Sequence, residues 1–123
     1  MKRLPDTELE VMKALWATGP DTPRALLEER LASFGWAANT INTYLSRLAD
    51  KGFVAVRRAG RSNLYTPLVG QEEYLAFDSR AVLDRLYDSP RNFVAALARE
   101  GMRRGELEEL QALLDQLNGG QAK

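Results

Sequence analysis

The sequence contains no cysteine and no histidine. Without thiols there can be no disulfide framework, no thiolate metal site and no cysteine nucleophile. Without imidazole, the commonest general base near neutral pH is missing too. Long apolar runs are also absent: nothing approaches the roughly 20 residues that cross a bilayer, and the opening MKRLPDTELEV lacks the apolar segment of a signal peptide. These gaps predict a soluble, cytoplasmic protein with no metal, no cofactor and no direct membrane insertion. The acidic pairs Glu28-Glu29, Glu72-Glu73 and Glu108-Glu109 are neighbours in sequence on helix surfaces and do not converge on an acid/base site. With no glycine-rich phosphate loop or nucleophile motif either, an enzyme is not expected.

What is present is a chain of 123 residues, 45% of them hydrophobic, enough for one domain or two small ones with a modest core. Self-association is one way for so small a chain to bury more surface. The formal net charge of zero conceals an asymmetry. Residues 1–68 hold ten basic against seven acidic side chains, a balance of +3, and residues 69–123 hold seven against ten, a balance of −3. Within 39–67, five basic residues face only Asp50, a balance of +4. That segment suits a polyanionic partner.

Hydrophobic periodicity predicts a first helix over residues 7–17, with Thr7 and Glu10 at capping-box spacing and Gly19-Pro20 as its stop. A second helix is expected from residue 22, with Thr22 as cap, Pro23 in the first helical position and a stripe of Leu26, Leu27 and Leu31. The third, over 38–51, turns Ile41, Leu45 and Leu48 inward and is closed by Gly52. Residues 53–58 alternate as a strand, 58–61 turn, and 62–66 return until Pro67. Three short helices followed by a two-stranded antiparallel hairpin is the element order of a winged helix-turn-helix. Three more helices are expected beyond residue 70: one over 71–87, one capped by Ser89 with Pro90 in its first position, and one over 106–117 stopped by Gly119-Gly120, with a fraying tail. The expected fold is therefore mainly α with a small β wing, divided into residues 1–69 and 70–123.

Removing the core positions of the third helix leaves Asn39, Thr40, Asn42, Thr43, Ser46 and Arg47 outside. Asn, Thr and Ser are poor helix formers, and a merely solvated face favours Glu, Lys, Gln and Ala. Capping accounts for Asn39 and Thr40 but not for Asn42, Thr43 and Ser46. Short amides and hydroxyls reach base edges in a major groove, and Arg47 can serve guanine or a phosphate. The hairpin then gains a role. Arg57, Arg58 and Arg61 would lie along the sugar-phosphate backbone, giving salt-dependent affinity while the helix reads sequence. The plainer account is a charged edge that resists aggregation. If any of the three arginines stays with the body of the sheet, it is Arg57. A winged helix used for protein contacts without specific DNA binding remains the competing assignment.

Four motifs carry a family resemblance: L-x-D-x-E-L-E-V-M-x-x-L-W at 4–16, W-x-x-x-T-I-x-T-x-L-x-R-L-x-x-K-G at 36–52, YTPLVGQEEYL at 65–75 and GELEELQALLDQL at 105–117. Over nearly its whole length the chain resembles the penicillinase-repressor group, the BlaI/MecI/CopY family. The resemblance implies an N-terminal winged-helix DNA-binding domain and a C-terminal helical dimerisation domain. It also implies repression from a dyad-symmetric operator; in the family's β-lactam-responsive branch, release follows cleavage in the dimerisation region after a membrane sensor-protease is activated, and the residues do not fix the inducing signal of this chain. The copper-responsive branch uses C-terminal cysteines, so metal sensing of that type is excluded here. The protease-responsive branch is cut at an Asn-Phe bond. This chain has Asn92-Phe93, whereas aligning the flanking segments places the family's bond nearer Ala95-Ala96. Three short C-terminal helices cannot enclose their own apolar side chains, so Tyr74, Phe77, Leu86, Leu107, Leu110, Leu114 and Leu117 are expected in a homodimer core.

Overall fold

A computed structural model describes residues 1–121, so the expected fraying of the tail falls partly outside the described residues. The helices are α1 (Asp6–Thr18), α2 (Arg24–Arg30), α3 (Ala38–Asp50), α4 (Gln71–Leu86), α5 (Pro90–Gly101) and α6 (Arg104–Gln121). A 3-10 turn, Ala32–Phe34, follows α2, and the strands are β1 (Thr22–Pro23), β2 (Val54–Ala59) and β3 (Ser62–Pro67). The chain divides into two compact units, Met1–Ala81 and Val82–Lys123. The division falls inside α4, beyond the 69/70 junction expected from the sequence.

In the first unit, α1 contributes Val11, Met12 and Leu15 to the core, α2 contributes Leu27, and α3 contributes Ile41, Leu45 and Leu48. The three α3 residues recur at i, i+4 and i+7, so one stripe of that helix is fully inward. At its end Gly52, with φ 82°, adopts the left-handed conformation that lets its own N–H reach Ala49 O at 3.0 Å and the Phe53 N–H reach Leu48 O at 2.9 Å. This Schellman closure satisfies two terminal carbonyls and aims the chain into β2. Glu8 is buried on α1 and accepts a hydrogen bond from Lys51 Nζ, an ion pair that ties α1 to the end of α3.

Several local elements differ from the sequence expectation. α1 begins at Asp6 behind Pro5, with no side-chain cap, so the Thr7–Glu10 capping box does not form. Thr22 and Pro23 are a strand, not a cap and first turn: they pair with Tyr65 and Leu64 of β3, so the sheet has three strands in the order β1-β3-β2. Thr22 is buried with its hydroxyl donating to Gly19 O at 2.6 Å, and the Thr18 hydroxyl lies 2.9 Å away. α6 continues through Gly119-Gly120 to Gln121.

The largest correction concerns Tyr74. It was expected in a dimer core, but it is 1% exposed inside the first unit. Its hydroxyl accepts the Leu4 N–H at 2.7 Å, and its ring packs against Trp16, Phe53 and Phe77 with centroids 5.7–6.1 Å apart. Phe77 packs against the same core. With its ring surrounded and its hydroxyl bonded, Tyr74 has no surface left for a partner. These contacts, with Trp16 Nε1 donating to Val69 O at 2.9 Å, fasten the first turns of α4 to the winged helix.

The second unit is built differently. Ser89 caps α5 as expected, accepting the Asn92 N–H at 3.2 Å with Pro90 in the first turn. Tyr87 and Phe93 meet edge-on at 5.2 Å. Yet no described side chain of α5 or α6 is buried. Among the described residues, no helix is long and apolar enough to cross a membrane.

Candidate nucleic-acid interface

With its apolar stripe committed to the core, α3 presents the opposite face to solvent. Asn39, Thr43, Ser46 and Arg47 are exposed, and Thr40 and Asn42 are half-buried. The helix is capped by Ala37 with no side-chain hydrogen bond, so capping explains neither Asn39 nor Thr40. Thr43 donates its hydroxyl proton to Asn39 O at 3.0 Å. The hydroxyl is thereby satisfied within the helix, and its lone pairs and methyl group are left for the outside.

The wing follows from register. β2 and β3 pair Arg57 with Leu64, Arg58 with Asn63 and Ala59 with Ser62, leaving Gly60-Arg61 as a two-residue loop. Gly60 has φ 61° in the first loop position, where a tight hairpin of this kind calls for glycine. Arg61 therefore occupies the tip, exposed, and Arg58 is exposed beside it with Nε donating to Gly60 O at 3.2 Å. Strand alternation sends Arg57 elsewhere. Its Nε lies 3.3 Å from Asp21 Oδ1, and the Asp21 N–H in turn donates to Thr66 Oγ1 at 2.9 Å. Arg57 is thus the wing arginine that stays with the sheet.

Two adjoining grooves connect these elements. One, of about 300 Å³, is lined by Arg58, Arg61 and Ser62 of the wing together with Pro23 and Arg24. The other, of about 420 Å³, runs between α3 and the wing and is lined by Asn42, Ser46 and Asp50 on one side and Val56 on the other. Arg24, Asn63 and Tyr65 line both. Asn42 and Ser46 of the outer α3 face and Arg58 and Arg61 of the wing therefore line adjoining grooves joined through Arg24, Asn63 and Tyr65. Asn39, Thr40, Thr43 and Arg47 lie on α3 outside the grooves, and Arg57 lines neither.

Sequence reasoning missed Arg24 and Asn63. Arg24 opens α2, and its Nη1 donates to Asn42 Oδ1 at 2.9 Å while its Nε lies 3.3 Å from Glu28 Oε1. The only available signal was a basic residue directly after Pro23; its reach across to α3 depends on how α2 and α3 pack.

In the second unit, Leu86, Leu97, Leu107, Leu113, Leu114 and Leu117 each leave 44–60% of their surface in water. Leu110 and Leu114 of α6 and Pro90, Val94 and Ala95 of α5 line an open apolar groove of about 430 Å³. Of the seven residues expected in a dimer core, Leu86, Leu107, Leu114 and Leu117 are exposed and Leu110 is half-buried; Leu110 and Leu114 line this groove. Asn92, Phe93, Ala95 and Ala96 all lie within α5.

A family model described as the penicillinase repressor matches residues 4–116. The chain is 31% identical to the penicillinase repressor of Bacillus licheniformis over 121 residues, covering 94% of each chain. It is 39% identical to the transcriptional regulator BlaI of Mycobacterium tuberculosis over 77 residues, 62% of this chain and 56% of that one. Among solved structures it is similar to the monomeric form of Bacillus licheniformis BlaI in complex with the blaP half-operator. That match has 32% identity and a TM-score of 0.50, and it covers 59% of this chain and 89% of that one.

Proposed function

The chain belongs to the penicillinase-repressor family, and we propose that it represses transcription by binding operator DNA as a homodimer. Family members are repressors, not enzymes. The observation that carries the proposal is the polar surface formed by Asn42 and Ser46 on α3, Arg58 and Arg61 on the wing, and Arg24 and Asn63 between them. α3 enters the major groove and offers short amides, hydroxyls and Arg47 to base edges. The wing guanidiniums lie against the backbone, supplying sequence-independent affinity by displacing counterions. The similarity to a BlaI bound to a half-operator supports the same docking for this chain.

One winged helix makes too few contacts to hold an operator tightly. A tethered second copy raises the affinity about a hundredfold or more by effective concentration alone. The exposed leucines of α4, α5 and α6 are the surface that a second copy covers, and the two half-sites then lie about one helical turn, or a multiple of it, apart. Loosening or cutting the second unit releases DNA without touching α3. The Asn92-Phe93 and Ala95-Ala96 bonds sit in a continuous helix, so a protease reaches either only after α5 opens locally. The protein acts in the cytoplasm, where the operator is.

The test is a titration of the full chain against the duplex upstream of its own gene and against random duplex, at two salt concentrations, with sedimentation in parallel. A dimer at micromolar concentration that prefers the upstream duplex, with affinity falling steeply in salt, is the expected result. Equal, weak binding to both duplexes overturns the repressor assignment in favour of a protein-contact module. A monomer that retains full affinity overturns the dimer alone.

A further inference from the structure

The hydrogen bond between Arg24 and Asn42 constrains what Asn42 can present to a base. A guanidinium only donates, so the atom of the Asn42 amide that faces Arg24 has to be its oxygen. Nδ2 is then turned away from Arg24, and the amide is no longer free to flip. Arg24 is itself held, because Glu28 Oε1 lies 3.3 Å from its Nε one helical turn along α2. That oxygen is shielded from water and accepts no aligned hydrogen bond among the described residues; the guanidinium is its ion-pair partner, in a pair that keeps 46% and 36% of its side-chain surface in water. Glu28, Arg24 and Asn42 therefore form a relay from the body of α2 to the reading face of α3. Arg24 also lines the wing groove beside Arg58 and Arg61.

We propose that Arg24 is a specificity-positioning residue: it locks the Asn42 amide with Oδ1 turned to α2 and Nδ2 presented to DNA. The inference rests on the DNA-binding assignment above. At the base pair under Asn42, the protein then reads a hydrogen-bond acceptor, such as purine N7, guanine O6 or thymine O4. It disfavours cytosine, whose major-groove edge offers only a donor. A free asparagine would rotate its oxygen to cytosine or use both atoms on adenine; the locked one is selective because one of its two faces is already occupied.

Two measurements on the full chain test this. In the free protein, the Asn42 side-chain amide resonances should move on Arg24→Ala and remain close to wild type on Arg24→Lys, which keeps a donor. If Arg24→Ala leaves them in place, the relay does not exist and the proposal fails, whatever the DNA result. The second measurement is selection from randomised duplex with wild type, Asn42→Ala, Arg24→Ala and Arg24→Lys. Asn42→Ala identifies the base pair it reads. At that pair, Arg24→Ala should cost roughly tenfold in discrimination and admit cytosine, with preferences at other pairs intact and much of the loss recovered in Arg24→Lys. A uniform loss of affinity with that pair's preference unchanged makes Arg24 a phosphate contact and overturns the positioning role alone. If wild type enriches no sequence, the DNA-binding assignment falls first and the role of Arg24 falls with it.

Discussion

The two units of this chain solve the problem of burying apolar surface in opposite ways. Among the described residues, every buried apolar side chain lies in Met1–Ala81, where α1, α2, α3 and the sheet close over Leu15, Leu27, Leu45 and Leu48. The residues after Ala81 carry a comparable supply of leucine, much of it on helices of 12 and 18 residues, and none of it is buried. Hydrophobic burial is worth about 25 cal/mol per Å², so the first unit holds its stabilisation internally, while the second leaves much of its leucine surface in water. A reading head that must fit DNA benefits from being rigid before it binds.

The sharpest way to break this contrast is to place the same truncation in both units. Leu48→Ala removes a side chain with no exposure and leaves a cavity between α1 and α3, and should cost about 3 kcal/mol in denaturant unfolding. Leu113→Ala, on the exposed face of α6, should cost well under 1 kcal/mol at concentrations where the chain is monomeric. Comparable losses in the monomer would show that the second unit already has a core. Next in size is Leu114→Asp, which places a charge in the apolar groove lined by Pro90, Val94 and Leu110. It should shift sedimentation to the monomer and weaken operator binding by about a hundredfold, while half-site affinity stays unchanged. Loss of half-site affinity as well would mean that the units are not separable in function.

Lys51→Met probes the first unit from another side. Glu8 is 2% exposed and Lys51 is its ion-pair partner, so removing the ammonium leaves a buried carboxylate uncompensated. Because Lys51 is itself partly solvated, the cost should be about 2 kcal/mol, below that of breaking a fully buried pair. Glu8→Gln combined with Lys51→Met should recover part of that loss. If the pair of changes is no better than the single one, the interaction is not what holds α1 to the end of α3.

The same contrast governs what could be read from the sequence. α3 was legible in both its faces because its apolar residues keep a helical period and its outer residues are of types that helices disfavour. The wing was legible from two alternating runs around Ala59-Gly60, and α5 from Ser89-Pro90. β1 was not. Thr22-Pro23 has the local chemistry of a helix start, and only its pairing with Tyr65 and Leu64, more than forty residues away, makes it a strand. Asp21, at φ 55°, adopts an uncommon conformation for a non-glycine residue and turns the chain into that pairing. Tyr74 failed for a related reason: helical spacing shows that a side chain is on an apolar face but not whose core it enters. Gly119-Gly120 read as a stop, but each glycine costs a helix only about 1 kcal/mol, and α6 continues past them. Arg24 was invisible because its hydrogen-bond partner Asn42 lies on another helix.

The smallest expected effects separate the three arginines of the wing, and they bear most directly on how the reading unit meets DNA. Arg61 stands at the hairpin tip and Arg58 beside it, both lining the groove shared with Arg24, whereas Arg57 faces Asp21. Replacing Arg61 or Arg58 by alanine should weaken binding to operator and random duplex alike, and should lower the slope of log affinity against log salt by about 1 for each phosphate no longer neutralised. Arg57→Ala removes a guanidinium already neutralised by a carboxylate, so fewer counterions are displaced through it and the slope should hardly change. Its exposed ion pair is worth under about 1 kcal/mol to stability, so unfolding should hardly register the change either. Three equal slopes would mean that Asp21 releases Arg57 when DNA arrives, and that the sheet's register does not decide which arginines touch the backbone.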